Sequence, residues 1–470
     1  MHTIEQIFIN GEFITPHGTE RFDLYNPATA QVIGQVRLAD EVDAARAVAA
    51  AKAAFPAWSQ TTKQERIAAL KRMHAAVAAR HDELLEAVIE EYGAPASRSA
   101  WMASYPAEVI AQAIEALEAF EFVTPAGAAT VQMTPLGVAG LITPWNSDAG
   151  FICGKLAAAL AAGCTAVIKP SEMSALQTQI VTEALRDAAL PPGVFNIVTG
   201  RGETVGDTIS RHPDVAKISF TGSTHTGKAI LRNAAESFKR VTLELGGKSP
   251  TILLDDVDLA QAIPLVIQAG FMNSGQACVA GTRILVPYSR EAEIETALAQ
   301  AVVAVNSGDP REKSTDVGPM VSAKQWQRVQ GYIRKGVEEG ARLLAGGEGR
   351  PEGTQDGWFV RPTLFADVNN QMTIARDEIF GPVLCVIPYR DEAEAIAIAN
   401  DTDYGLSAVV LGGADRARRV AQQIVSGRVL VNTLAHEPKA PFGGFKHSGV
   451  GREMGEWGIR AFMEPRSVLG

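Results

Sequence analysis

The stretch that decides the fold runs from VAGLIT (138–143) through TAVIK (165–169), FNIVT (195–199) and VAKISFT (215–221) to RVTLEL (240–245). Residues with the apolar spacing of amphipathic helices separate these β-rich runs. Strands that alternate with helices are typical of βαβ units and predict a parallel sheet. Right-handed crossovers make such a sheet doubly wound and place ligands at the carboxyl ends of its strands. We therefore predict an α/β domain with a Rossmann-like parallel sheet.

Outward from this stretch, the chain divides into further units. The alternation restarts after Gly247, which predicts a second α/β domain. We assign residues 1–118 and 136–244 to the first domain and residues 245–441 to the second, catalytic one. Residues 119–135 and 458–470 fit neither domain. Because an exposed edge strand needs a partner, we expect these two segments to pair as a small β arm that joins subunits.

The composition excludes several classes of protein. The chain has 470 residues with 43 basic and 53 acidic ones, and its net charge of −10 argues against a nucleic-acid-binding surface. The longest apolar run, residues 151–168, is too short for a bilayer span, and we expect no secretory leader. Four cysteines in a chain this long predict no disulfide framework, and without a CxxC pair we expect no metal. These features predict a cytoplasmic enzyme with neither a nucleic-acid nor a membrane partner.

Three of the predicted strands end in turns that are suited to binding a ligand. The turn from Gly222 to Gly227 exposes backbone N–H groups at a helix start, which favours an anion, although an ordinary tight turn explains it equally well. Glu172 follows TAVIK, where a carboxylate can bind an adenosine ribose or can simply favour a helix start that Ser171 caps. Asn146 follows VAGLIT and is either an oxyanion donor or a turn residue.

Cys278 and Glu244 are candidate catalytic residues. Cys278 lies in a predicted loop, where a thiolate could attack a carbonyl once a neighbour has taken its proton. The alternative is a small buried residue, which is our expectation for the other three cysteines. Glu244 is a carboxylate in the apolar run RVTLEL, and its alternative is an exposed strand end.

Seven motifs together resemble the aldehyde dehydrogenase superfamily, in the family's order and nearly end to end. They are TPWN (143–146), KPSE (169–172), FTGST with a later glycine (220–227), LELGGK (243–248), GQAC (275–278), EIFGPV (378–383) and PFGGFKHSGVGRE (441–453). The resemblance implies an NAD-dependent enzyme that oxidises a small-molecule aldehyde to a carboxylic acid. It also implies a homodimer or a homotetramer.

The resemblance further implies the role of each catalytic residue. Cys278 is the expected nucleophile that forms a thiohemiacetal, and Asn146 with the Cys278 backbone N–H is the expected oxyanion hole. Hydride transfer to the nicotinamide then leaves a thioacyl enzyme, and Glu244 activates the water that hydrolyses it. Lys155 and Glu453 also match family positions near the cavity, where we expect an ion pair first and a proton relay second.

For the cofactor, the resemblance implies NAD. Glu172 favours it over NADP, because the 2′-phosphate of NADP would meet a carboxylate. The implied cofactor-binding residues are Ile142, Thr143, Trp145, Lys169, Ser171, Glu172, Gly202, Phe220, Thr221, Gly222, Ser223, Leu245, Gly246, Glu378 and Phe380.

The chain departs from the family pattern around the predicted substrate tunnel. An aromatic residue and a proline commonly follow PWN, whereas a serine and Asp148 follow it here, so that a flexible acid replaces a rigid ring. Glycines at 150 and 154 predict a wide tunnel and a bulky, aromatic or long-chain aldehyde. Relatives that act on carboxylated semialdehydes often have an arginine at the position of Gly154. The predicted tunnel residues are Ser147, Gly150, Phe151, Gly154, Ala277, Val279, His436 and Phe442.

Alternatives to this function remain open. A CoA-acylating aldehyde dehydrogenase shares the fold, but Glu244 argues for water as the acyl acceptor. A semialdehyde dehydrogenase is disfavoured, though not excluded, by the missing arginine. A non-enzymatic binding protein is disfavoured because both Cys278 and Glu244 are present.

Overall fold

The parallel strands predicted from residues 138–245 are present in the structure, a computed structural model that describes residues 1–354 and 356–470. The strands are β1 (His2–Ile4), β2 (Ile7–Ile9), β3 (Glu12–Ile14), β4 (Arg21–Asn26), β5 (Gln31–Arg37), β6 (Val123–Ala126), β7 (Ala129–Pro135), β8 (Val138–Ile142), β9 (Thr165–Lys169), β10 (Phe195–Ile197), β11 (Val215–Thr221), β12 (Arg240–Glu244), β13 (Pro250–Leu253), β14 (Arg283–Pro287), β15 (Arg342–Ala345), β16 (Thr363–Ala366), β17 (Val383–Tyr389), β18 (Ser407–Leu411), β19 (Arg428–Val431), β20 (Gly449–Val450) and β21 (Met463–Leu469).

The helices are α1 (Glu41–Ser59), α2 (Lys63–Ala78), α3 (His81–Ala87), α4 (Ala96–Ala119), α5 (Asp148–Ala162), α6 (Ala175–Asp187), α7 (Asp207–Arg211), α8 (Thr224–Ala235), α9 (Leu259–Phe271), α10 (Glu291–Val303), α11 (Ala323–Glu338), α12 (Thr373–Arg376), α13 (Glu392–Asn400), α14 (Ala414–Ala421) and α15 (Gly455–Arg460). Short 3₁₀ turns span Glu172–Ser174, Met272–Gly275, Tyr288–Arg290 and Lys446–Ser448, and π-helical turns span Val88–Tyr92 and Gly202–Gly206. Among the described residues, none of the helices combines the length and the apolar character needed to cross a bilayer.

The first sheet has eight strands in the order β20-β12-β11-β8-β9-β10-β2-β3, and β8 to β12 are mutually parallel. Alternate residues of each strand join different apolar clusters. In β8, Ala139 and Leu141 pack with α2, α4 and α5, whereas Val138 and Ile142 pack with α1, α7 and α8. Both faces of the sheet are therefore covered, as the apolar runs of its strands predict.

The second α/β unit also has a largely parallel sheet. Its seven strands follow the order β15-β16-β17-β14-β13-β18-β19, and only β15 runs antiparallel to its neighbour. The Rossmann-like fold class predicted from the alternation of strands and helices is thus confirmed.

The two segments that fit neither α/β unit are strands of one antiparallel sheet with the order β21-β7-β6. The pairing runs from Met463 opposite Pro135 to Leu469 opposite Ala129. That this sheet joins a second subunit stays a prediction, as does the division of the chain into domains. A further small sheet, β1-β5-β4, lies near the N-terminus.

Helix α4 is the main element that the sequence analysis did not predict. It contains Pro106, a residue that removes a hydrogen bond and usually interrupts a helix. Tertiary packing outweighs this local preference, because α4 packs along both α2 and α5 and buries Ile110 and Leu117 completely. Its position against α5 brings one of its faces to the candidate site.

Candidate active site

A cavity of about 470 Å³ contains the three predicted catalytic residues, Asn146, Glu244 and Cys278. They come from three elements, namely the turn after β8, the end of β12 and the loop after α9. The eight predicted tunnel residues line the same cavity: Ser147, Gly150, Phe151, Gly154, Ala277, Val279, His436 and Phe442.

The loop that carries Cys278 has an unusual backbone. Asn273, Ser274 and Gly275 are all left-handed, with φ of 55°, 58° and 74°, which is costly for the two residues that have a Cβ. Side-chain hydrogen bonds hold this conformation: the Ser274 hydroxyl accepts the Gly318 N–H at 2.9 Å, and the Gln276 side chain accepts the Val321 N–H at 3.0 Å. These bonds therefore fix the backbone of the loop that carries Cys278.

Asn146 is linked directly to this loop. Its side-chain amide donates to the Gln276 carbonyl at 3.0 Å, and the Asn273 amide donates to the carbonyls of Asn146 and Gln276 at 3.2 Å each. Within the described part of the chain, no residue accepts the second N–H of the Asn146 amide or the backbone N–H of Cys278. Two donors therefore remain for an oxyanion near the thiol.

Asp148, which replaces the family's proline, is not the flexible acid that we expected. It is the first residue of α5, is fully buried, and accepts hydrogen bonds from the hydroxyls of Thr143 at 2.6 Å and Thr178 at 2.8 Å. Burial raises the pKa of Asp148 to about 7 despite these bonds. The two hydroxyls thus hold the turn after Asn146 through polar contacts.

Glu244 is buried at the end of β12, and neither of its carboxyl oxygens has a hydrogen-bond partner among the residues described. Burial is the largest cause that raises the pKa of Glu244 well above the ordinary value, and the negative charge of Glu453 adds to it. Space is tight around this carboxyl, since a Cβ at Gly443 would lie 2.7 Å from its Oε1. A carboxylate in this position takes up a proton readily.

The thiol of Cys278 is half-buried, and burial together with the charges of Glu378 and Glu244 raises its pKa to about 12. The nearby cation that opposes this shift is Arg428. The thiol is therefore protonated at neutral pH and needs a proton acceptor before it can act as a nucleophile.

Lys155 and Glu453 form the expected ion pair at the wall of the cavity. The Lys155 ammonium lies 2.5 Å from the Glu453 carboxylate, and the Ser219 hydroxyl accepts from Lys155 at 3.0 Å and donates to Glu453 at 2.9 Å. The charge of Glu453 raises the pKa of Glu244, whereas the charge of Lys155 lowers it.

Most predicted cofactor residues lie at the carboxyl ends of the parallel strands or in the turns just beyond them. They are Ile142, Thr143, Trp145, Lys169, Ser171, Glu172, Gly202, Phe220, Thr221, Gly222, Ser223, Leu245 and Gly246. Glu378 and Phe380 come instead from the segment before β17.

The geometry of these strand ends fits a dinucleotide. The Ser223 hydroxyl caps the start of α8 through the Thr226 N–H at 3.2 Å, so the open end of this helix faces the turn of Gly222. The Thr221 hydroxyl at the end of β11 is buried and lacks a partner in the described chain, as a group reserved for a ligand would.

Glu172 is held by two cations. Lys169 lies 3.3 Å from one of its oxygens, and Arg201 lies 3.3 Å from the other. Arg201 also pairs with Glu20 at 2.7 Å. The sequence analysis did not include Arg201, which lies between two carboxylates at this corner of the predicted ribose site.

The segment before β17 contacts the predicted cofactor residues of the first sheet. The Glu378 carboxylate accepts the Gly247 N–H at 2.9 Å, and a Cβ at Gly246 would lie 2.4 Å from that carboxylate. The ring of Phe380 meets Trp145 edge-on, with centroids 5.5 Å apart. These contacts connect the second α/β unit to the turn that carries Asn146.

One wall of the cavity, a face of α4, was not predicted from the sequence. Arg98, Trp101, Tyr105 and Val109 recur at helical spacing on α4 and line the cavity, as do Gln112 and Ala113 one turn later. The rings of Trp101 and Tyr105 stack with centroids 4.4 Å apart. The spacing of the two aromatic residues was the available signal, but it required a helix through Pro106.

Gly150 does not widen the tunnel in the simple way that the sequence suggested. A Cβ there would lie 2.6 Å from the Tyr105 ring, so the missing side chain makes room for an aromatic ring of α4. At Gly154 a Cβ would be 3.6 Å from Val109, which is an ordinary contact.

The family model described as "Aldehyde dehydrogenase family" matches residues 13–468. A curated relative from a Pseudomonas species, 3-succinoylsemialdehyde-pyridine dehydrogenase, is 44% identical over 473 residues, with coverage of 100% of this chain and 99% of the relative. A variant of aldehyde dehydrogenase C from Pseudomonas syringae, solved in complex with NAD⁺ and octanal, is similar with a TM-score of 0.98 and 44% identity, covering 100% of this chain and 97% of that one. An aldehyde dehydrogenase from Mycobacterium tuberculosis in complex with NAD⁺ has a TM-score of 0.96 and 41% identity, covering 99% and 98% of the two chains.

Proposed function

The chain belongs to the aldehyde dehydrogenase family, and from this premise we propose that it oxidises an aldehyde to a carboxylic acid through a covalent Cys278 intermediate. It is an NAD(P)-dependent aldehyde dehydrogenase. The observation that carries the proposed mechanism is the convergence of Cys278, Asn146 and Glu244 on one cavity.

In the first step, the sulfur of Cys278 attacks the aldehyde carbon, a carbon–sulfur bond forms, and the carbonyl oxygen becomes an oxyanion. The unused N–H of Asn146 and the backbone N–H of Cys278 donate to this oxygen. A prearranged donor of this kind stabilises the transition state by roughly 3–4 kcal/mol. The proton of the resting thiol passes to solvent as the attack begins, and it is the net proton that the oxidation of an aldehyde by NAD(P) releases.

In the second step, NAD(P) held at the strand ends would supply the acceptor for the hydride that leaves the former aldehyde carbon. Cys278 is left as a thioacyl group. Glu244 then takes a proton from water, the water oxygen attacks the thioacyl carbon, and the carbon–sulfur bond breaks to release the carboxylic acid. The proton on Glu244 passes to the departing sulfur, which restores the Cys278 thiol and the Glu244 carboxylate. Burial raises the proton affinity of the Glu244 carboxylate, which makes the ionised form of this residue a stronger base.

We further propose NAD as the preferred cofactor. Glu172 would accept hydrogen bonds from the ribose hydroxyls and would repel a 2′-phosphate. Two solved relatives are complexes with NAD⁺, which supports this choice.

The proposed substrate is a bulky, aromatic or long-chain aldehyde. A cavity of about 470 Å³ with a stacked pair of aromatic rings is suited to a substrate of that size. The octanal complex of the Pseudomonas syringae relative supports a long chain. A semialdehyde is the second candidate, because the Pseudomonas relative is named as a semialdehyde-pyridine dehydrogenase.

A homodimer or homotetramer is also proposed, with the sheet of β6, β7 and β21 as the joining surface. All four residues of β6 are exposed, and its outer edge is unpaired in the described chain. Light scattering on purified protein tests this proposal, and a monomer at micromolar concentration would contradict it.

NADH formation over aldehydes of graded size tests the proposed function, with NAD and NADP in parallel. We expect activity with the wild type and its loss by at least about four orders of magnitude in Cys278→Ala. Acyl-CoA formation in the presence of CoA would instead favour the CoA-acylating alternative. Binding of NAD without oxidation of any aldehyde would favour a binding role.

A further inference from the structure

The substrate cavity has an excess of positive charge. Among the residues that the structure describes, four cations line it, Arg98, Lys155, Arg428 and Arg452, and two carboxyl groups do so, Glu244 and Glu453. Glu453 is paired with Lys155. Glu244 lies beside the nucleophile and has no partner in the described chain.

The partners of the remaining cations are few. Arg452 donates to the backbone carbonyls of Gly444 and Gly451. Arg428 donates once, to the Ser407 hydroxyl at 3.3 Å. No carboxylate lies within salt-bridge distance of Arg98 or Arg428 anywhere in residues 1–354 and 356–470.

Arg98 is the least satisfied of these groups. Its Nε is buried without a partner, and its guanidinium donates no hydrogen bond to any described residue. The guanidinium carbon lies 3.9 Å from the centroid of the Trp101 ring, which itself stacks on Tyr105. This stack occupies the face of the guanidinium and leaves its in-plane N–H groups for a ligand.

Simple packing does not account for this arrangement. An arginine that only covers an aromatic ring usually keeps its charged head in water or pairs it. Here burial lowers the pKa of Arg98. The groups that oppose this shift are the hydroxyls of Tyr92 and Tyr105, not carboxylates. Arg98 is thus a half-buried cation with no counter-ion among the described residues, and an anionic ligand would supply one.

We propose that the cavity recognises an aldehyde that carries a carboxylate at the end remote from the aldehyde, with Arg98 binding that carboxylate. A guanidinium and a carboxylate make paired, charge-assisted hydrogen bonds, which suits a planar anion. Arg428 adds positive charge closer to Cys278, since its charge acts on that thiol. This inference rests on the proposed function and specifies its substrate class.

The cation that recognises the substrate thus comes from α4. From the sequence, we expected an arginine at position 154 of α5 if the substrate were carboxylated, and the glycine there disfavoured such a substrate. Gly154 lies opposite Val109 of α4, about three turns along that helix from Arg98.

Two matched substrates test the proposal: 4-formylbenzoate and its neutral isostere 4-formylbenzamide. A second pair, succinate semialdehyde and butanal, repeats the comparison with a flexible chain. We expect kcat/KM of the wild type to be at least about tenfold higher for the carboxylated member of one or both pairs, chiefly through KM. The ratio is expected to fall about tenfold in Arg98→Gln and by less in Arg98→Lys, which keeps the charge.

Arg418→Gln, a change at an exposed arginine of α14, is the control and is expected to leave the ratio as in the wild type. The proposal is overturned if the carboxylated member is no better in either pair, or if Arg98→Gln leaves the ratio unchanged. Failure of the proposed function is a different result, namely no NADH from any aldehyde, octanal included.

Discussion

The cofactor side and the substrate side of the cleft are built from different kinds of element. Proposed cofactor positions such as Lys169, Thr221 and Ser223 lie where parallel strands of one sheet end. The substrate cavity is instead lined by a face of α4, by the start of α5 and by loops from the far end of the chain, including His436 and Phe442.

This difference has a physical basis. Ends of adjacent parallel strands necessarily meet at one edge of the sheet, so short motifs there are brought together by the fold itself. A wall made of a helix face depends on how that helix packs, and no short motif encodes such packing. The cofactor side is therefore constrained by topology, while the substrate side is free to vary.

Among the replacements that compare these two regions, that of Glu244 is expected to have the largest effect, because this residue is a strand end that also lines the cavity. Glu244→Gln cannot take a proton from water, so steady-state turnover should fall by about three orders of magnitude. If hydride transfer precedes the Glu244-dependent step, stopped-flow absorbance should still show a burst of about one NADH per active site. Glu236→Gln, at an exposed position after α8, is the control. Full turnover in the Glu244→Gln variant would remove Glu244 from the mechanism.

Asp148 joins the two regions, and its replacement should mainly affect stability. Asp148→Ala leaves two buried hydroxyls without an acceptor and should cost about 2 kcal/mol. Asp148→Asn keeps an acceptor and a donor and should cost less. The melting temperature of each variant at one pH measures this difference, and equal values would show that the hydroxyl contacts do not hold the turn.

The stability of the wild type relative to Asp148→Asn should depend on pH. The pKa of Asp148 in the fold, about 7, lies above that of the unfolded chain. Its protonated form therefore stabilises the fold fully below about pH 4, and this contribution is lost as the pH rises to about 7. Relative to Asp148→Asn, the wild type should lose melting temperature between about pH 4 and pH 7. A difference that does not change with pH would contradict the raised pKa.

Sequence reasoning was sufficient for the elements whose pattern is local. Alternating runs predicted the parallel strands β8 to β12, and the turns after them contain the proposed cofactor and catalytic residues. It failed where the outcome depends on packing between distant segments. Pro106 concealed α4, and with it Arg98 and Trp101, while Asp148 was misjudged because its partner Thr178 lies 30 residues away.

The preference for NAD over NADP sharpens the comparison on the cofactor side. In Glu172→Gln, the charges of Lys169 and Arg201 lose a partner at the predicted ribose site. We expect the ratio of kcat/KM with NAD to that with NADP to fall about tenfold, as a 2′-phosphate then meets cations instead of a carboxylate. Arg201→Gln should shift the ratio the other way. An unchanged ratio in Glu172→Gln would place the ribose elsewhere.

The smallest expected effect comes from a single methyl group added at Gly150 on the substrate side. In Gly150→Ala the new methyl group would overlap the Tyr105 ring, which must move from its stack with Trp101 toward the cavity. We expect kcat/KM for a bulky aldehyde to fall about threefold relative to that for propanal, a modest change because a side chain rather than backbone gives way. Gly154→Ala, whose methyl group only touches Val109, is the matched control, and Tyr105→Ala should relieve the effect in the double variant. If Gly150→Ala and Gly154→Ala have equal effects, the helix face of α4 does not set the width of the tunnel, and the substrate side would be governed by the loops alone.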